Sequence, residues 1–240
     1  MTSENYLNLD SKELDKPVYR IMPVSRLLQC LEEKQLVLVP PRKWDDPFEN
    51  YLLSAKIKLS DTGEFGDMGR IRDKVYGQCW TQYKETDAMW RIYSSDKSGA
   101  KVRTTPRKLL DALKGCNPQF GDITCFIGKV QYQTQKDLVS TLMKLKLLTS
   151  NGSGIAKSLL YKRVEFRHEK EVRLIYTDGE GLIHPVGIDP NKLFDEIVFD
   201  PRMDIHLYAA YAAAVKTKNF SGRVAQSVLY KPPKELLIKM

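Results

Sequence analysis

The run at residues 166–176, FRHEKEVRLIY, constrains the fold of this chain most strongly, because it has the character of a β-strand. It carries Glu169 and Glu171 two residues apart. Since residues i and i+2 of a strand point to the same face, the run predicts two carboxylates side by side. Such a pair is costly unless another group uses or neutralises it. The run therefore predicts a strand that carries a candidate site.

Two further candidate strands carry residues that suit an anionic ligand. The strand predicted at residues 18–22 carries Tyr19 and Arg20. The strand predicted at residues 75–82 carries Thr81. An arginine side chain is a planar fork that binds oxyanions through two parallel hydrogen bonds. Together with a hydroxyl group and two carboxylates, it indicates a site for a negatively charged ligand that contains a sugar.

Strand-like and helix-like segments follow one another irregularly along the 240 residues. Apolar spacing predicts a helix at residues 24–33, and residues 171–176 and 182–186 have the pattern of a hairpin. The absence of a regular βαβ repeat favours an α+β fold over a doubly wound sheet. We predict a single domain at residues 17–240, with a split, mostly antiparallel central sheet flanked by helices. A flexible N-terminal arm is predicted at residues 1–16.

Composition limits the class of protein and its partners. The chain is 42% hydrophobic and 28% charged, which is ordinary for a soluble globular protein. No apolar run approaches the roughly 20 residues that span a bilayer, and the polar N-terminus lacks the features of a secretory signal. The four scattered cysteines are typical of reduced thiols. We therefore expect a cytoplasmic protein without a membrane partner.

The net charge of +8 and the isoelectric point of about 9.2 favour a phosphate-bearing or acidic partner. A nucleotide, a nucleic acid and an acidic protein all meet this description. The basic residues are dispersed along the chain, so a solvated basic surface without a partner is an equally good interpretation.

Several common enzyme motifs are missing from the sequence. It has no P-loop, GxGxxG, HExxH or GxSxG element, which excludes the enzyme classes that depend on them. The four cysteines and three histidines show no zinc-ligand spacing. The motif WDDPFE at residues 44–49 predicts a helix start, with Asp46 as the N-cap and Glu49 reaching back to it in a capping box.

Six segments follow one another in a characteristic order, namely VYR, an apolar helix, VPPRKWDDPFEN, QCWTQ, AMWRIYSSDKSGAKV and FRHEKEVRLIY. This order resembles that of a bacterial family catalogued as domain of unknown function 2971. The likeness runs from about residue 18 to about residue 230. The same order is similar to that of mono-ADP-ribosyltransferases of the arginine–serine–glutamate class, although the middle element is WTQ in place of a Ser-Thr-Ser triplet.

The resemblance implies an ADP-ribosyltransferase-like fold and NAD as the substrate, with no metal. The enzyme would transfer ADP-ribose to a protein or nucleic acid, or act as an NAD glycohydrolase, as a toxin or phage-defence effector. Its catalytic residues would be Glu171, Glu169 and Thr81, and Arg20 would bind the cofactor. Tyr19, Trp80, Trp90 and Tyr93 would offer flat surfaces to the nicotinamide ring.

This chemistry fits the residue types. Cleavage of the nicotinamide–ribose bond develops positive charge on the sugar, as glycoside cleavage does. A carboxylate at Glu171 would stabilise that charge more in the transition state than in the ground state. Glu169 would orient the acceptor or accept its proton. Arg20 would hold a phosphate or ribose oxygen, and Thr81 would hold Glu171 or the ribose.

Each candidate residue also has a purely structural interpretation. Glu169 and Glu171 fit a solvated strand face with ion pairs to neighbouring cations. Arg20 fits a structural ion pair with Glu49. Thr81 is a common strand residue. Trp80 and Trp90 are of a type found more often in the core than on a stacking surface.

Two other classes of function stay open. One is a non-catalytic binding module, for instance the partner of a toxin or defence protein. The other is a magnesium-dependent nuclease, in which two metal ions would clamp a phosphodiester. Its candidate ligands are Asp45, Asp46, Glu49, Glu169 and Glu171.

Overall fold

The computed structural model describes residues 4–44, 46–58 and 65–232, which form a mixture of strands and helices. The strands are β1 (Tyr6–Leu7), β2 (Val18–Pro23), β3 (Gln35–Leu38), β4 (Lys56–Lys58), β5 (Phe65–Asp67), β6 (Tyr76–Thr81), β7 (Gly99–Thr104), β8 (Cys125–Lys129), β9 (Gln131–Gln133), β10 (Tyr161–Arg163), β11 (Glu171–Tyr176), β12 (His184–Gly187), β13 (Glu196–Phe199) and β14 (Arg223–Gln226).

Helices cover the sheet and connect its strands. The α-helices are α1 (Val24–Glu33), α2 (Gly69–Arg72), α3 (Asp87–Tyr93), α4 (Pro106–Gly115), α5 (Gly121–Thr124), α6 (Gln135–Lys144), α7 (Ser153–Ser158), α8 (Pro190–Leu193) and α9 (Ile205–Thr217). Short 3-10 helices lie at Pro41–Lys43, Pro47–Asn50, Leu52–Ser54 and Val164–Glu169. Within the described ranges, none of the helices combines the length and the apolar character of a membrane span.

Eight strands form the central sheet in the order β1-β8-β11-β6-β2-β7-β13-β14. Neighbouring strands are antiparallel, except that β1 runs parallel to β8 and β13 runs parallel to β14. β6 pairs with β11 along its whole length, as β2 does with β7, but β2 and β6 share the single described pair Tyr19–Thr81. The sheet is therefore split between β2 and β6. The predicted α+β class with a mostly antiparallel sheet is confirmed.

Alternation along β11 shows how the two faces of the sheet differ. Val172 and Leu174 lie in the larger core cluster, which also holds buried side chains of helices α1 and α4. Ile175 lies in a smaller cluster on the other face. Burying one such side chain stabilises the fold by about 1.5–3 kcal/mol. Because successive strand residues alternate, Glu171 and Arg173 fall on the face of Ile175.

The N-terminal segment differs from the flexible arm predicted at residues 1–16. In its described part, residues 4–16, strand β1 pairs with β8 at the edge of the sheet. Asn5 Nδ2 donates to the Cys125 carbonyl oxygen at 2.8 Å, and Leu9 and Leu14 are buried in the larger core cluster. Leu9 and Leu14 each stand between polar residues, so the average composition of the segment hides their burial.

The predicted hairpin between residues 171–176 and 182–186 is wrong. β11 already has β6 and β8 as neighbours on its two sides, so it has no free edge for another strand. β12 pairs instead with β3, which is far away in sequence. The turn residues at 177–181 predicted a hairpin, but β12 pairs with the distant strand β3 and not with β11.

Candidate active site

A cleft opens at the split in the sheet, with about 410 Å³ of space between protein atoms including its mouth. At its base, Thr81 on β6 pairs with Glu171 on one side and with Tyr19 on the other. The three strands therefore meet at one level, and the cleft lies where β2 and β6 separate. Seven of the eight predicted site residues line it, namely Tyr19, Arg20, Trp80, Thr81, Tyr93, Glu169 and Glu171.

Glu171 is the first residue of β11 and is only 6% exposed. Arg173, two residues along the same strand face, donates from Nε at 2.7 Å and from an Nη at 2.5 Å to Glu171 Oε2. Lys162 Nζ lies 3.6 Å from Oε1. Burial alone would raise the pKa of Glu171, but Arg173 and Lys162 outweigh it and hold that pKa below its ordinary value. Glu171 is therefore an ionised, fixed carboxylate at the cleft.

Glu169 reaches the cleft by a different route from the one predicted. It ends the 3-10 helix Val164–Glu169, and Lys170 follows with a left-handed φ of 41°. The strand begins only at Glu171, so the expectation that both glutamates lie on one strand face is wrong. The tight turn nevertheless brings both carboxylates to the same cleft.

The surroundings of Glu169 differ from those of Glu171. Lys162 Nζ donates to Glu169 Oε2 at 2.5 Å, and the Tyr93 hydroxyl donates to Oε1 at 3.3 Å. Burial raises the pKa of Glu169, and the neighbouring carboxylates of Glu171 and Glu49 raise it further against the effect of Lys162. The two glutamates therefore have pKa values displaced in opposite directions, which is a property of acid–base sites.

Lys162, Arg173 and Glu49 complete a buried ion cluster that the sequence analysis missed. Lys162 is 5% exposed, and its Nζ lies 2.7 Å from Glu49 Oε1. Arg173 is fully buried and donates to the same oxygen at 2.8 Å. Three carboxylates thus share two cations. The sequence carries only an indirect sign of this cluster. Because buried carboxylates require cationic partners, a buried pair of glutamates implies lysine or arginine side chains nearby.

Glu49 therefore does not complete the predicted capping box. Asp46 is an N-cap as predicted, because its Oδ1 accepts from Phe48 N–H at 3.1 Å. The carboxylate of Glu49 instead points to Arg173 and Lys162. A buried cation attracts this carboxylate more strongly than a backbone N–H group does.

Arg20 places a partly buried cation in the cleft. One of its Nη atoms donates to the Cys79 carbonyl oxygen at 2.5 Å. Among residues 4–44, 46–58 and 65–232, no carboxylate forms an ion pair with Arg20, and the predicted bridge to Glu49 is not formed. Burial lowers the pKa of Arg20, although Cys79, Tyr93 and Glu171 favour its charged form. The site therefore offers a guanidinium to an anionic ligand.

The Thr81 hydroxyl forms hydrogen bonds with backbone groups and not with the carboxylate of Glu171. Its Oγ1 donates to the Glu169 carbonyl oxygen at 2.6 Å and accepts from Tyr83 N–H at 3.1 Å. The hydroxyl therefore ties the end of β6 to the turn that carries Glu169. This contact assigns Thr81 a positioning part in the site.

The four predicted aromatic surfaces separate into two groups. Tyr19, Trp80 and Tyr93 line the cleft, and the Tyr93 ring is the most accessible of them at 40% exposure. Trp90 is fully buried, and its Nε1 donates to Glu85 Oε1 at 2.7 Å. The prediction that Trp90 binds the cofactor is wrong in this structure. The Trp90 side chain lies on the side of α3 that packs into the protein interior, whereas the Tyr93 side chain lines the cleft.

The acids proposed for a magnesium site are paired with cations. Asp46 Oδ1 lies 3.0 Å from an Nη of Arg163, and the glutamates belong to the cluster of Lys162 and Arg173. Asp45 lies outside the described residues. In the part of the chain that the structure describes, no group of His, Cys, Asp or Glu side chains has the arrangement of a metal site.

The pH dependence of stability follows from the lowered pKa of Glu171. A carboxylate of this kind stabilises the fold above its unfolded-state pKa, and the contribution is lost as pH falls through the folded-state pKa. In a Glu169→Gln background, we expect protein that retains Glu171 to melt above the Glu171→Gln variant by a constant margin from about pH 7 to about pH 5, and the margin to shrink below about pH 4. This background is needed because Glu171 is one cause of the raised pKa of Glu169, so its removal would also change the titration of Glu169. Thermal melts check this, and a margin still complete at about pH 2 would contradict it.

Comparison with known proteins gives a weak structural likeness only. No family model matches the chain, so its resemblance to domain of unknown function 2971 stays a prediction. No curated protein matches it either. It is similar in structure to Thermus sp. 2.9 DarT in complex with NAD+, at 13% identity and a TM-score of 0.42, over 89% of this chain and 96% of that chain.

Two further complexes of the same protein give similar values. The complex with ADP-ribosylated ssDNA shows 13% identity and a TM-score of 0.42, over 89% of this chain and 94% of that chain. The complex with carba-NAD+ shows 12% identity and a TM-score of 0.40, over 89% of this chain and 96% of that chain.

Proposed function

We propose that this protein is an NAD-dependent mono-ADP-ribosyltransferase-like enzyme, which cleaves the nicotinamide–ribose bond and transfers ADP-ribose to a macromolecule. Without an acceptor, water would take its place and the enzyme would act as an NAD glycohydrolase. The observation that supports this most is the cleft itself, in which the ionised carboxylate of Glu171 and the guanidinium of Arg20 line one cavity. The carboxylate suits the positive charge that develops on the ribose, and the guanidinium suits the phosphates of the dinucleotide.

Glu171 supplies the electrostatic stabilisation in this mechanism. When the nicotinamide–ribose bond breaks, its electron pair leaves with nicotinamide and the ribose becomes cationic. The fork of Arg173 holds Glu171 Oε2 in place, so the carboxylate does not have to reorganise as the charge develops.

Glu169 takes the proton of the acceptor. A nucleophilic oxygen or nitrogen of the acceptor forms a bond to the ribose carbon and loses a proton to the Glu169 carboxylate. A raised pKa makes that carboxylate a stronger base. The Lys162 ammonium at 2.5 Å keeps Glu169 oriented in the cleft.

A second, wider cavity has room for the remainder of the dinucleotide. It holds about 1330 Å³ of space between protein atoms including its mouth, and shares Arg20, Ile21 and Tyr93 with the cleft. Arg26 and Lys43 also line it. We propose that NAD extends from the cleft into this cavity, with its diphosphate near Arg20.

The acceptor in this proposal is a protein or a nucleic acid, in keeping with the net charge of +8. The proposed setting is the cytoplasm of a bacterium, where the enzyme would act as a toxin or as an effector of phage defence. Either loss of NAD or modification of a nucleic acid would harm the cell.

Release of nicotinamide from NAD tests the proposed function directly. Purified protein is incubated with NAD alone, with single-stranded and double-stranded nucleic acids, and with added polypeptides. We expect nicotinamide in the medium and, with radiolabelled NAD, label on one class of acceptor. Wild-type protein that releases no nicotinamide under any of these conditions would overturn the proposal.

We expect Arg20→Lys to weaken NAD binding by about tenfold or more, since an ammonium group cannot reproduce two parallel hydrogen bonds to an oxyanion. Isothermal titration calorimetry with NAD measures the change. Arg42→Lys is the matched control, because Arg42 pairs with Asp73 on the surface and lines neither cavity. Equal affinities for wild-type protein and Arg20→Lys would remove Arg20 from the binding site.

A further inference from the structure

A row of aromatic rings and cations leads from an exposed ring to the buried ion cluster of the candidate active site. The rings of Tyr51 and Phe48 are stacked with centroids 5.8 Å apart. The Arg163 guanidinium lies 4.5 Å from the Phe48 ring centroid and 5.3 Å from that of Phe166. The Lys162 ammonium lies 4.6 Å from the Phe166 centroid. These five residues form the aromatic–cation row.

The row ends at the reacting groups. Lys162, its last member, also donates to Glu169 Oε2 at 2.5 Å. Tyr51, at its other end, is 49% exposed, and Phe48, Arg163 and Phe166 are partly exposed. A ligand stacked on the exposed end would therefore lead toward the glutamate that takes the proton of the acceptor.

The row is held in place before any ligand binds. Asp46 caps the 3-10 helix Pro47–Asn50, which carries Phe48, and its buried carboxylate lies 3.0 Å from an Nη of Arg163. Phe166 lies in a second 3-10 helix, Val164–Glu169. Prior ordering of this kind reduces the entropic cost of binding.

The charge near the row favours an anionic polymer. The Lys170 ammonium lies 4.6 Å from the centroid of the Tyr83 ring, which adds a fourth aromatic–cation pair to the three of the row. The acid closest in sequence, Glu165, is exposed, while Glu169 is occupied by Lys162. Residues 161–170 carry four cations, of which Lys162 and Arg163 are paired with Glu49, Glu169 and Asp46, while Arg167 and Lys170 are exposed and form no ion pair among the described residues.

We propose that the aromatic–cation row binds the bases of a single-stranded nucleic acid and thereby presents one nucleotide to Glu169. The proposal rests on the proposed function and names the class of acceptor. Unpaired bases stack on exposed aromatic rings such as Tyr51, while exposed cations such as Arg167 and Lys170 contact the phosphates. Bases inside a duplex have no free faces for such stacking. Alternating rings and cations therefore suit a single strand better than a duplex.

The test measures binding of fluorescein-labelled oligonucleotides of about 12 nucleotides by anisotropy, in the absence of NAD. Single-stranded DNA, single-stranded RNA and a duplex are compared at about 50 mM and about 200 mM salt, because phosphate contacts weaken steeply with salt. We expect Tyr51→Ala to weaken single-strand binding by about 5-fold to 100-fold, the loss of one stacked base. Tyr51→Phe should retain the affinity, since it keeps the ring.

Phe120→Ala is the matched control, because Phe120 is a 54% exposed aromatic residue outside the row. Its affinity should equal that of wild-type protein. Three results would overturn the proposal: Tyr51→Ala that binds like wild-type protein, Phe120→Ala that loses as much affinity, or a duplex that binds as tightly as a single strand. Label from NAD that reaches added polypeptide and not the oligonucleotide would assign the row to a protein acceptor instead.

The binding assay separates this inference from the enzymatic proposal. If wild-type protein binds single strands through Tyr51 but releases no nicotinamide, nucleic-acid binding by the row is supported and the enzymatic proposal is refuted. If the protein releases nicotinamide but binds no oligonucleotide, the enzymatic proposal is supported and nucleic-acid binding by the row is refuted.

Discussion

Glu171→Gln should reduce nicotinamide release by about 10²-fold to 10³-fold or more, because it removes the fixed charge that stabilises the ribosyl cation. The substitution keeps the volume of the side chain. It also replaces a carboxylate that accepts two hydrogen bonds from Arg173, so we expect a loss of about 1–3 kcal/mol in the free energy of unfolding. Initial rates of nicotinamide release and thermal melts measure the two effects separately.

Glu49→Gln is the matched control for this prediction. Glu49 is also buried and pairs with Arg173 and Lys162, but it does not line the cleft. The change removes the same charge from the ion cluster and should destabilise the fold by a similar amount. We expect nicotinamide release to fall far less than in Glu171→Gln. Equal losses of activity in the two variants would show that Glu171 acts only through the stability of the cluster.

Arg173→Met should lower the free energy of unfolding by about 3–5 kcal/mol, because it leaves buried carboxylates without their main cation. Arg173 is fully buried, donates to Glu49, Glu171 and the Leu159 carbonyl oxygen, and lies 4.5 Å from the Trp44 ring centroid. For a chain of this size the loss corresponds to a decrease of roughly 10 °C or more in melting temperature. Urea unfolding and thermal melts measure it.

Two further variants show whether the loss comes from unpaired charge. The double variant Arg173→Met with Glu171→Gln should be more stable than Arg173→Met alone, since it removes one of the uncompensated acids. Arg107→Met removes an exposed ion pair with Asp15 and should melt close to wild-type protein. Strictly additive effects of the two cluster substitutions would contradict the account of the cluster.

The pattern around residue 170 shows how sequence reasoning succeeded and failed at the same place. The rule that strand residues two apart share a face is correct, but the pair it applies to is Glu171 and Arg173. Glu169 precedes the strand, because Lys170 adopts a left-handed conformation. Lysine gives no local sign of that conformation, which usually favours glycine or asparagine. The strand therefore appeared longer than it is.

Trp80 and Trp90 show a second limit. Both tryptophans were candidates for a flat ligand surface and for the core, and the structure buries them, with Trp80 2% exposed and Trp90 fully buried. Large aromatic side chains stabilise a core as readily as they bind a ligand. The sequence gives the residue type but not the side of α3 that meets the cleft, and that side presents Tyr93.

Local chemistry was sufficient for the strand that carries Arg20, for helix α1 and for the N-cap at Asp46, because hydrophobic period and capping act over a few neighbouring residues. The split sheet and the ion cluster depend on contacts between distant segments. Arg173 binds Glu49, which lies 124 residues away in the sequence, and Thr81 holds the turn of Glu169 across 88 residues. Nothing in the local pattern near any of these residues specifies its partner, so the pairing of charges was fixed only when the strands came together.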